Sequence, residues 1–184
     1  MKLDAAGWLD EAVHIPSPNF DDRPEGEQPS LVIIHNISLP PGEFGGNAVE
    51  ALFTNQLDWD AHPYYQAIRG LTVSAHFFIR RDGELIQFVP CLMRAWHAGA
   101  SQWRGREKCN DFSIGIELEG TDEIAFTENQ YMRLNALLSA IKAAYPIQGV
   151  TGHSHIAPGR KTDPGPCFDW DRIHCDPGIH ATGS

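Results

Sequence analysis

The run Leu31-Val32-Ile33-Ile34 constrains the fold of this chain more than any other stretch of its sequence. It is continuously apolar and rich in β-branched residues, and it follows Pro29 and Ser30. Such a run is typical of a β-strand that is buried on both faces. His35 and Asn36 come at its carboxyl end, where a side chain can project from a rigid element into a cleft.

Further strands are indicated on either side of Asp82-Gly83, a dipeptide that favours a tight hairpin turn. We expect these two strands at residues 73–80 and 84–89. Another strand is predicted at residues 112–118, because apolar residues alternate there with small or polar ones. The apolar positions are Ile114, Ile116 and Leu118, and the intervening ones are Ser113, Gly115 and Glu117.

A long helix is predicted to begin near Thr127, because Thr127-Glu128-Asn129-Gln130 matches a capping box. Apolar side chains then recur at helical spacing until Pro146. These are Tyr131, Leu134, Leu138, Ile141 and Tyr145. Shorter helices are expected at residues 7–13 and 48–54, and a loop-like segment is expected after Thr151.

Strands interspersed with helices predict an α/β (mixed α+β) class, with a mixed β-sheet flanked by helices. The chain has 184 residues, of which 42% are hydrophobic. That length allows one buried core but not two ordinary domains, so we expect a single domain across residues 1–184.

The charge of the chain disfavours nucleic acid as a partner. The formal net charge is -10 at pH 7, and a negative field repels phosphates. A substrate with carboxylates would need local cations, for which Arg106, Lys108, Arg160 and Lys161 are candidates. No stretch approaches the ~18 apolar residues of a membrane span, and the amino terminus lacks the apolar core of a secretory signal. We therefore expect a cytoplasmic protein without membrane contact.

The cysteines show no paired spacing. In a reducing compartment they are most simply free thiols, although their even number leaves a disulfide open. They are Cys91, Cys109, Cys167 and Cys175.

The chain has nine histidines, a number that suggests a metal site. The place of each histidine relative to the predicted strands indicates which of them could be ligands. His35 ends a buried strand, and a second imidazole and a carboxylate, His153 and Asp163, occur in one later segment. A catalytic zinc site can consist of two nitrogen ligands and one oxygen ligand, with the fourth coordination position left open. A structural role for His35 at a strand edge stays open, because no local spacing here matches a metal-binding signature.

Two charged residues could act beside such a metal. Glu117 lies on an otherwise apolar strand, and a carboxyl group among apolar neighbours has the raised pKa that suits a general base or acid. The alternative is that Glu117 faces solvent on an edge strand. Lys161, close to Asp163, could place a cation where an oxyanion develops, or could simply be solvated.

The remaining histidines are less promising as ligands. His76, on an apolar strand, is predicted to be a buried structural group or one that supports a ligand.

The segment Trp96-His97-Ala98-Gly99 could form part of a groove that binds a sugar or a peptide. The alternative is that Trp96 is an ordinary core residue. His155 is the rival of His153. The predicted non-ligands are His14, His62, His155, His174 and His180.

Five blocks of sequence carry a family resemblance. They are LVIIHNISLPPGEFG at 31–45, VSAH at 73–76, RAWHAG at 94–99, CNDFSIGIELEGTD at 109–122 and IAPGRKTDPG at 156–165. In this order they resemble the type 2 N-acetylmuramoyl-L-alanine amidases, which are related in fold to a phage lysozyme and to peptidoglycan recognition proteins.

The resemblance implies a cleft with a single zinc ion held by His35, His153 and Asp163. By position, Glu117 resembles the family's catalytic glutamate and Lys161 the residue that stabilises the tetrahedral intermediate. The expected contacts to sugar and stem peptide are Asn36, Trp96, His97, Arg106, Lys108 and Ala157.

The resemblance also implies a substrate, the 1,6-anhydro-N-acetylmuramyl peptides of cytoplasmic peptidoglycan recycling, cut between the lactyl group and L-alanine. In bacteria with an inducible β-lactamase, such an enzyme would keep the inducing muropeptides low. No obligate protein partner is expected. Two alternatives are a muropeptide-binding module that does not cut, and an exported amidase that acts on the intact wall.

Overall fold

The computed structural model of the protein describes residues 1–174. In that range the strands are β1 (Val13–His14), β2 (Phe20–Asp21), β3 (Leu31–Ile37), β4 (Phe77–Ile79), β5 (Leu85–Gln87), β6 (Arg94–Ala95), β7 (Gln102–Trp103), β8 (Arg106–Glu107), β9 (Ser113–Glu119) and β10 (Gly149–Gly152). The α-helices are α1 (Ala48–Phe53), α2 (Pro63–Ala67), α3 (Glu128–Ala144) and α4 (His153–Ile156). Short 3-10 helices occupy Cys109–Asp111 and Trp170–Arg172.

Six strands form one mixed sheet in the order β1-β5-β4-β9-β3-β10. Strand β3 is parallel to both β9 and β10, and β4 is parallel to β9 but antiparallel to β5. The pairs β2–β6 and β7–β8 are separate antiparallel ribbons. The carboxyl ends of β3, β9 and β10 therefore lie at the same end of the sheet. The predicted mixed sheet flanked by helices is confirmed.

The apolar run of β3 is buried on both faces, as predicted. Val32 and Ile34 pack in a core cluster with side chains of α3, whereas Leu31 and Ile33 pack on the other side with Phe112. That second face carries another apolar cluster, which includes residues of α1, β4 and β5. The functional residues described below lie on this second face.

The predicted hairpin and two of the predicted helices are confirmed. Strands β4 and β5 pair antiparallel around Asp82-Gly83, although both are shorter than expected. Helix α1 forms within residues 48–54, and α3 begins with a full capping box at Thr127. The predicted free thiols are confirmed for Cys91, Cys109 and Cys167, whereas Cys175 lies outside the described residues.

The helix expected at residues 7–13 is wrong. Gly7 has a φ of 92°, and its carbonyl accepts hydrogen bonds from the backbone N–H of Cys91 and the side chain of Gln87. The N–H of Leu9 donates to the side chain of Gln87 at 2.7 Å. Because these backbone groups bond to the sheet, they cannot bond within a helix.

The loop-like segment predicted after Thr151 also needs correction, since it contains the short helix α4. No helix among residues 1–174 is long and apolar enough to cross a membrane.

Candidate active site

Three predicted metal ligands converge where β3 and β10 end. Nδ1 of His35 lies 2.9 Å from Oδ2 of Asp163, Nδ1 of His153 lies 3.0 Å from the same oxygen, and the two nitrogens are 3.0 Å apart. His35 belongs to β3, and His153 begins α4 directly after β10. The parallel pairing of these strands brings together residues that are far apart in sequence.

The hydrogen bonds around this cluster leave its inner atoms available to a metal. Nε2 of His153 lies 3.0 Å from the carbonyl oxygen of Ala98, which can only accept a hydrogen bond. The proton of a neutral His153 ring is therefore on Nε2, and Nδ1 offers a lone pair to the cluster. Two imidazole nitrogens and one carboxylate oxygen directed at one point fit a transition-metal ion such as zinc.

The ionisation of the cluster agrees with that fit. Burial lowers the pKa of His35 to about 4, which leaves the ring neutral near neutral pH. Burial acts to raise the pKa of Asp163, but hydrogen bonds from His153 and His35 outweigh it and keep this pKa below its ordinary value. Neutral imidazole and ionised carboxylate are the forms that bind metals.

The loop that carries Asp163 is held by Asn36 of β3. The Asn36 amide donates to Oδ1 of Asp122 at 2.7 Å and to the carbonyl of Pro164 at 3.1 Å. The N–H of Ser154 also donates to the carbonyl of Asp163 at 2.9 Å. Asn36 therefore ties two loops together beside the cluster.

Glu117 lies on β9, between β4 and β3, so the alternative of a solvent-facing edge strand is wrong. The residue is 8% exposed, and its Oε2 has no hydrogen-bond partner within residues 1–174. Burial first, and then the negative charge of Asp163, raise the pKa of Glu117 well above its ordinary value, while Lys161 opposes this shift. A buried carboxyl group with a raised pKa is a stronger base than an ordinary glutamate, and this suits acid–base chemistry.

The cluster, Glu117 and Lys161 share one cavity of ≈ 620 Å³. Another part of its wall is apolar and aromatic, formed by Leu52, Phe53, Tyr64, Ile68, Leu71, Val73 and Trp96. One cavity therefore offers a metal-binding cluster, a carboxyl group, an ammonium group and an apolar wall.

The predicted substrate contacts divide into two groups. Asn36, Trp96 and His97 line the cavity. Arg106, Lys108 and Ala157 do not line it, and the guanidinium of Arg106 forms an ion pair with Glu27 at 2.9 Å. Substrate contact by all six stays a prediction, which mutagenesis must test.

The histidines predicted to be non-ligands stay outside the cluster wherever the structure describes them. His155 is exposed, and its Nδ1 accepts from the backbone N–H of Gly152 at 3.3 Å. His76 is buried, with Nδ1 accepting from Gly115 N–H at 3.0 Å and Nε2 lying 3.0 Å from the carbonyl of Met93. His14, His62 and His174 also lie elsewhere, and His180 falls outside the described residues.

Sequence reasoning missed the apolar wall formed around α2. Tyr64 belongs to α2, and Leu71 follows that helix; both line the cavity. The dipeptide His62-Pro63 was an available signal, because proline favours the first position of a helix. His62 indeed caps α2, its side chain accepting from the N–H of Tyr64 at 3.1 Å.

Comparisons with known proteins identify the family of this chain. The sequence profile of the N-acetylmuramoyl-L-alanine amidase family, Amidase_2, matches residues 25–166. The 1,6-anhydro-N-acetylmuramyl-L-alanine amidase AmpD of Salmonella typhimurium (strain SL1344) is 60% identical over 169 residues, which are 91% of this chain and 90% of that protein.

Solved structures agree on the fold. A crystal structure of a selenomethionine AmpD derivative has a TM-score of 0.92 and 60% identity, covering 94% of this chain and 97% of that chain. Drosophila peptidoglycan recognition protein SA has a TM-score of 0.62 at 16% identity over 92% of this chain and 89% of that chain, a likeness of fold alone. This chain belongs to the N-acetylmuramoyl-L-alanine amidase family, as its sequence motifs predicted.

Proposed function

We propose that this amidase uses zinc to hydrolyse the bond between the lactyl group of 1,6-anhydro-N-acetylmuramic acid and L-alanine in muropeptides. The observation that carries the proposal is the convergence of His35, His153 and Asp163 in the cavity that also holds Glu117. The Salmonella typhimurium relative, at 60% identity, is a 1,6-anhydro-N-acetylmuramyl-L-alanine amidase, which supports the anhydro form of the substrate.

The three ligands would hold the zinc ion through Nδ1 of each histidine and a carboxylate oxygen of Asp163. A zinc ion bound there would polarise the scissile carbonyl and lower the pKa of a coordinated water toward neutrality. The protein supplies the rest of the chemistry, because amide hydrolysis also needs proton transfer and stabilisation of negative charge.

Glu117 is the proton carrier in this proposal. Its carboxylate accepts a proton from the attacking water and passes it to the nitrogen of L-alanine, which must leave as an amine because an amide anion is too basic. The raised pKa of Glu117 makes its carboxylate a stronger base than that of an ordinary glutamate, which favours uptake of the proton from water.

Lys161 stabilises the oxyanion in this proposal. It is exposed, carries a positive charge and lines the same cavity as the cluster. The charge is close enough to influence the ionisation of both His35 and Glu117. An ammonium group so placed would favour the negative charge that develops on the carbonyl oxygen.

The apolar wall around Trp96 and Tyr64 suits the non-ionic parts of a muropeptide. Aromatic side chains offer flat apolar surface to a sugar ring or an alanine methyl group. Nε1 of Trp96 donates to Oδ1 of Asp21 at 3.2 Å, which fixes the indole plane beside the cavity. A cytoplasmic location stays a prediction that cell fractionation would check.

The test is to incubate purified protein with an anhydromuramyl tripeptide and, separately, with intact sacculi. We expect release of anhydro-N-acetylmuramic acid and a free peptide that begins with L-alanine, and loss of this release after chelation of zinc. Binding without release would identify a non-cutting module instead. Faster release from sacculi than from anhydromuropeptides would identify a wall-lytic amidase.

A further inference from the structure

His97 contacts the outer side of the metal-ligand histidine His35. While His35 directs Nδ1 to the cluster, its Nε2 lies 2.9 Å from Nδ1 of His97. The rings meet edge-on, with centroids 5.0 Å apart and an interplanar angle of 88°. The other nitrogen of His97, Nε2, lies 3.2 Å from the hydroxyl oxygen of Ser113. These contacts form a chain from His35 through His97 to Ser113.

The chemistry of this chain permits one arrangement of protons. A metal on Nδ1 of His35 needs the lone pair of that nitrogen, so a neutral His35 carries its proton on Nε2 and donates it to Nδ1 of His97. His97 must then carry its own proton on Nε2, which donates to the hydroxyl of Ser113. Each donor meets an acceptor only when His97 is in this tautomer.

Strand β9 makes room for the ring of His97. A Cβ atom at Gly115 would lie 2.5 Å from Cγ of His97, far inside van der Waals contact. Gly115 and Ser113 lie two residues apart on β9, so their positions alternate to the same face of the sheet as Glu117. Strand β9 therefore supplies both the space for the ring and the last acceptor of the chain.

The backbone at His97 is also fixed, and it serves the second histidine ligand. Oδ1 of Asn110 accepts from the N–H of His97 at 3.2 Å and from that of Ala98 at 2.8 Å. The Ala98 carbonyl in turn meets Nε2 of His153 at 3.0 Å. Two consecutive residues, held by one amide, thus contact the outer nitrogens of both histidine ligands.

We propose that His97 is a positioning residue that sets the orientation and tautomer of His35 for metal binding. Outer partners of this kind fix the ring of a ligand and raise its basicity. The inference rests on the proposed metal centre.

The test compares two substitutions of His97. His97→Phe keeps an aromatic ring but has no acceptor for His35, whereas His97→Gln restores an acceptor oxygen. We expect the zinc affinity of His97→Phe, measured by competition with a chromogenic chelator, to fall roughly 10–100-fold, and His97→Gln to recover part of the loss. The visible absorption of the cobalt-substituted protein should change in His97→Phe and return toward the original in His97→Gln. His14→Phe, on a histidine outside the cluster, is the matched control.

A second measurement needs no substitution. Long-range proton–nitrogen correlation spectra of the zinc-loaded protein report which ring nitrogen of each histidine is protonated. We expect His97 to be protonated at Nε2 alone. Protonation at Nδ1, or unchanged zinc affinity in His97→Phe, would overturn the role of His97 while leaving the amidase proposal intact. Failure of the unmutated protein to bind zinc would instead remove the metal centre, and this inference with it.

Discussion

His35 and Glu117 are direct partners across the parallel pair of β3 and β9. Partner residues of neighbouring strands project from the same face of a sheet. The sheet therefore fixes the spacing between the imidazole of a proposed metal ligand and the proposed proton carrier. Side chains on the interior strands of a sheet are held more precisely than side chains on loops, which favours catalysis by preorganised groups.

Glu117→Gln should abolish most hydrolysis while zinc stays bound. Glutamine keeps the size of the side chain but cannot accept or deliver a proton, and general acid–base catalysis contributes about 10²–10⁴-fold in rate. Turnover of an anhydromuramyl tripeptide and zinc content would be measured on the same samples. Glu123→Gln, at an exposed position, is the control. More than roughly a tenth of the original turnover would exclude Glu117 as the base.

The same substitution should stabilise the zinc-free protein increasingly as pH rises. The pKa of Glu117 lies well above its ordinary value of 4.5 in the folded state. Above that ordinary value the folded carboxyl group keeps a proton that the unfolded chain releases, so unfolding becomes easier with rising pH. Glutamine does not titrate and escapes this penalty.

Urea unfolding of chelator-treated protein at about pH 4 and about pH 8 would measure the effect. The gain in unfolding free energy of Glu117→Gln over the original should be larger at the higher pH. An equal difference at both values would show that the pKa of Glu117 is not raised by folding.

Lys161→Ala should lower turnover by roughly two to three decades, equivalent to ~2.7–4 kcal/mol of transition-state stabilisation. Zinc content should not change, because Lys161 is not among the three converging ligands. Steady-state kinetics and metal analysis would check both expectations, with Lys2→Ala at an exposed position as the control. An unchanged rate would remove Lys161 from the mechanism.

Asn36→Ala should destabilise the protein, because the Asn36 amide already donates to Asp122 and Pro164. Loss of such hydrogen bonds costs about 1 kcal/mol, which lowers the Tm of a domain of this size by about 2–4 °C. Asn47→Ala is a matched control, since Asn47 occupies the N-cap position of α1 but its side chain forms no capping hydrogen bond. An unchanged Tm combined with a raised KM would instead favour the substrate contact predicted from the sequence.

Elements with strong local patterns could be predicted from the sequence. The apolar run of β3, the hairpin turn at Asp82-Gly83 and the capping box at Thr127 each specify an element through neighbouring residues. Strand β10 was missed because Gly149-Val150-Thr151-Gly152 has glycine at both ends and is too short to show a period. Its pairing with β3, a tertiary contact, makes it a strand.

The candidate site, like the fold, could be predicted only in part from the sequence. Residue types and positions suggested His35, His153 and Asp163 as a metal site, and the family resemblance implied the same three residues as zinc ligands. The role proposed for His97 left no local signal in the sequence, because it depends on the missing Cβ of Gly115 and on the hydroxyl of Ser113, both on β9. Such contacts arise only when the chain has folded.

The most direct test of the zinc amidase is metal content by mass spectrometry on the original protein and on Asp163→Ala, with hydrolysis of an anhydromuramyl tripeptide assayed on the same samples. We expect about one zinc ion per chain together with hydrolysis in the original protein, and loss of both in the variant. Freshly purified protein that hydrolyses the substrate without zinc would contradict the account.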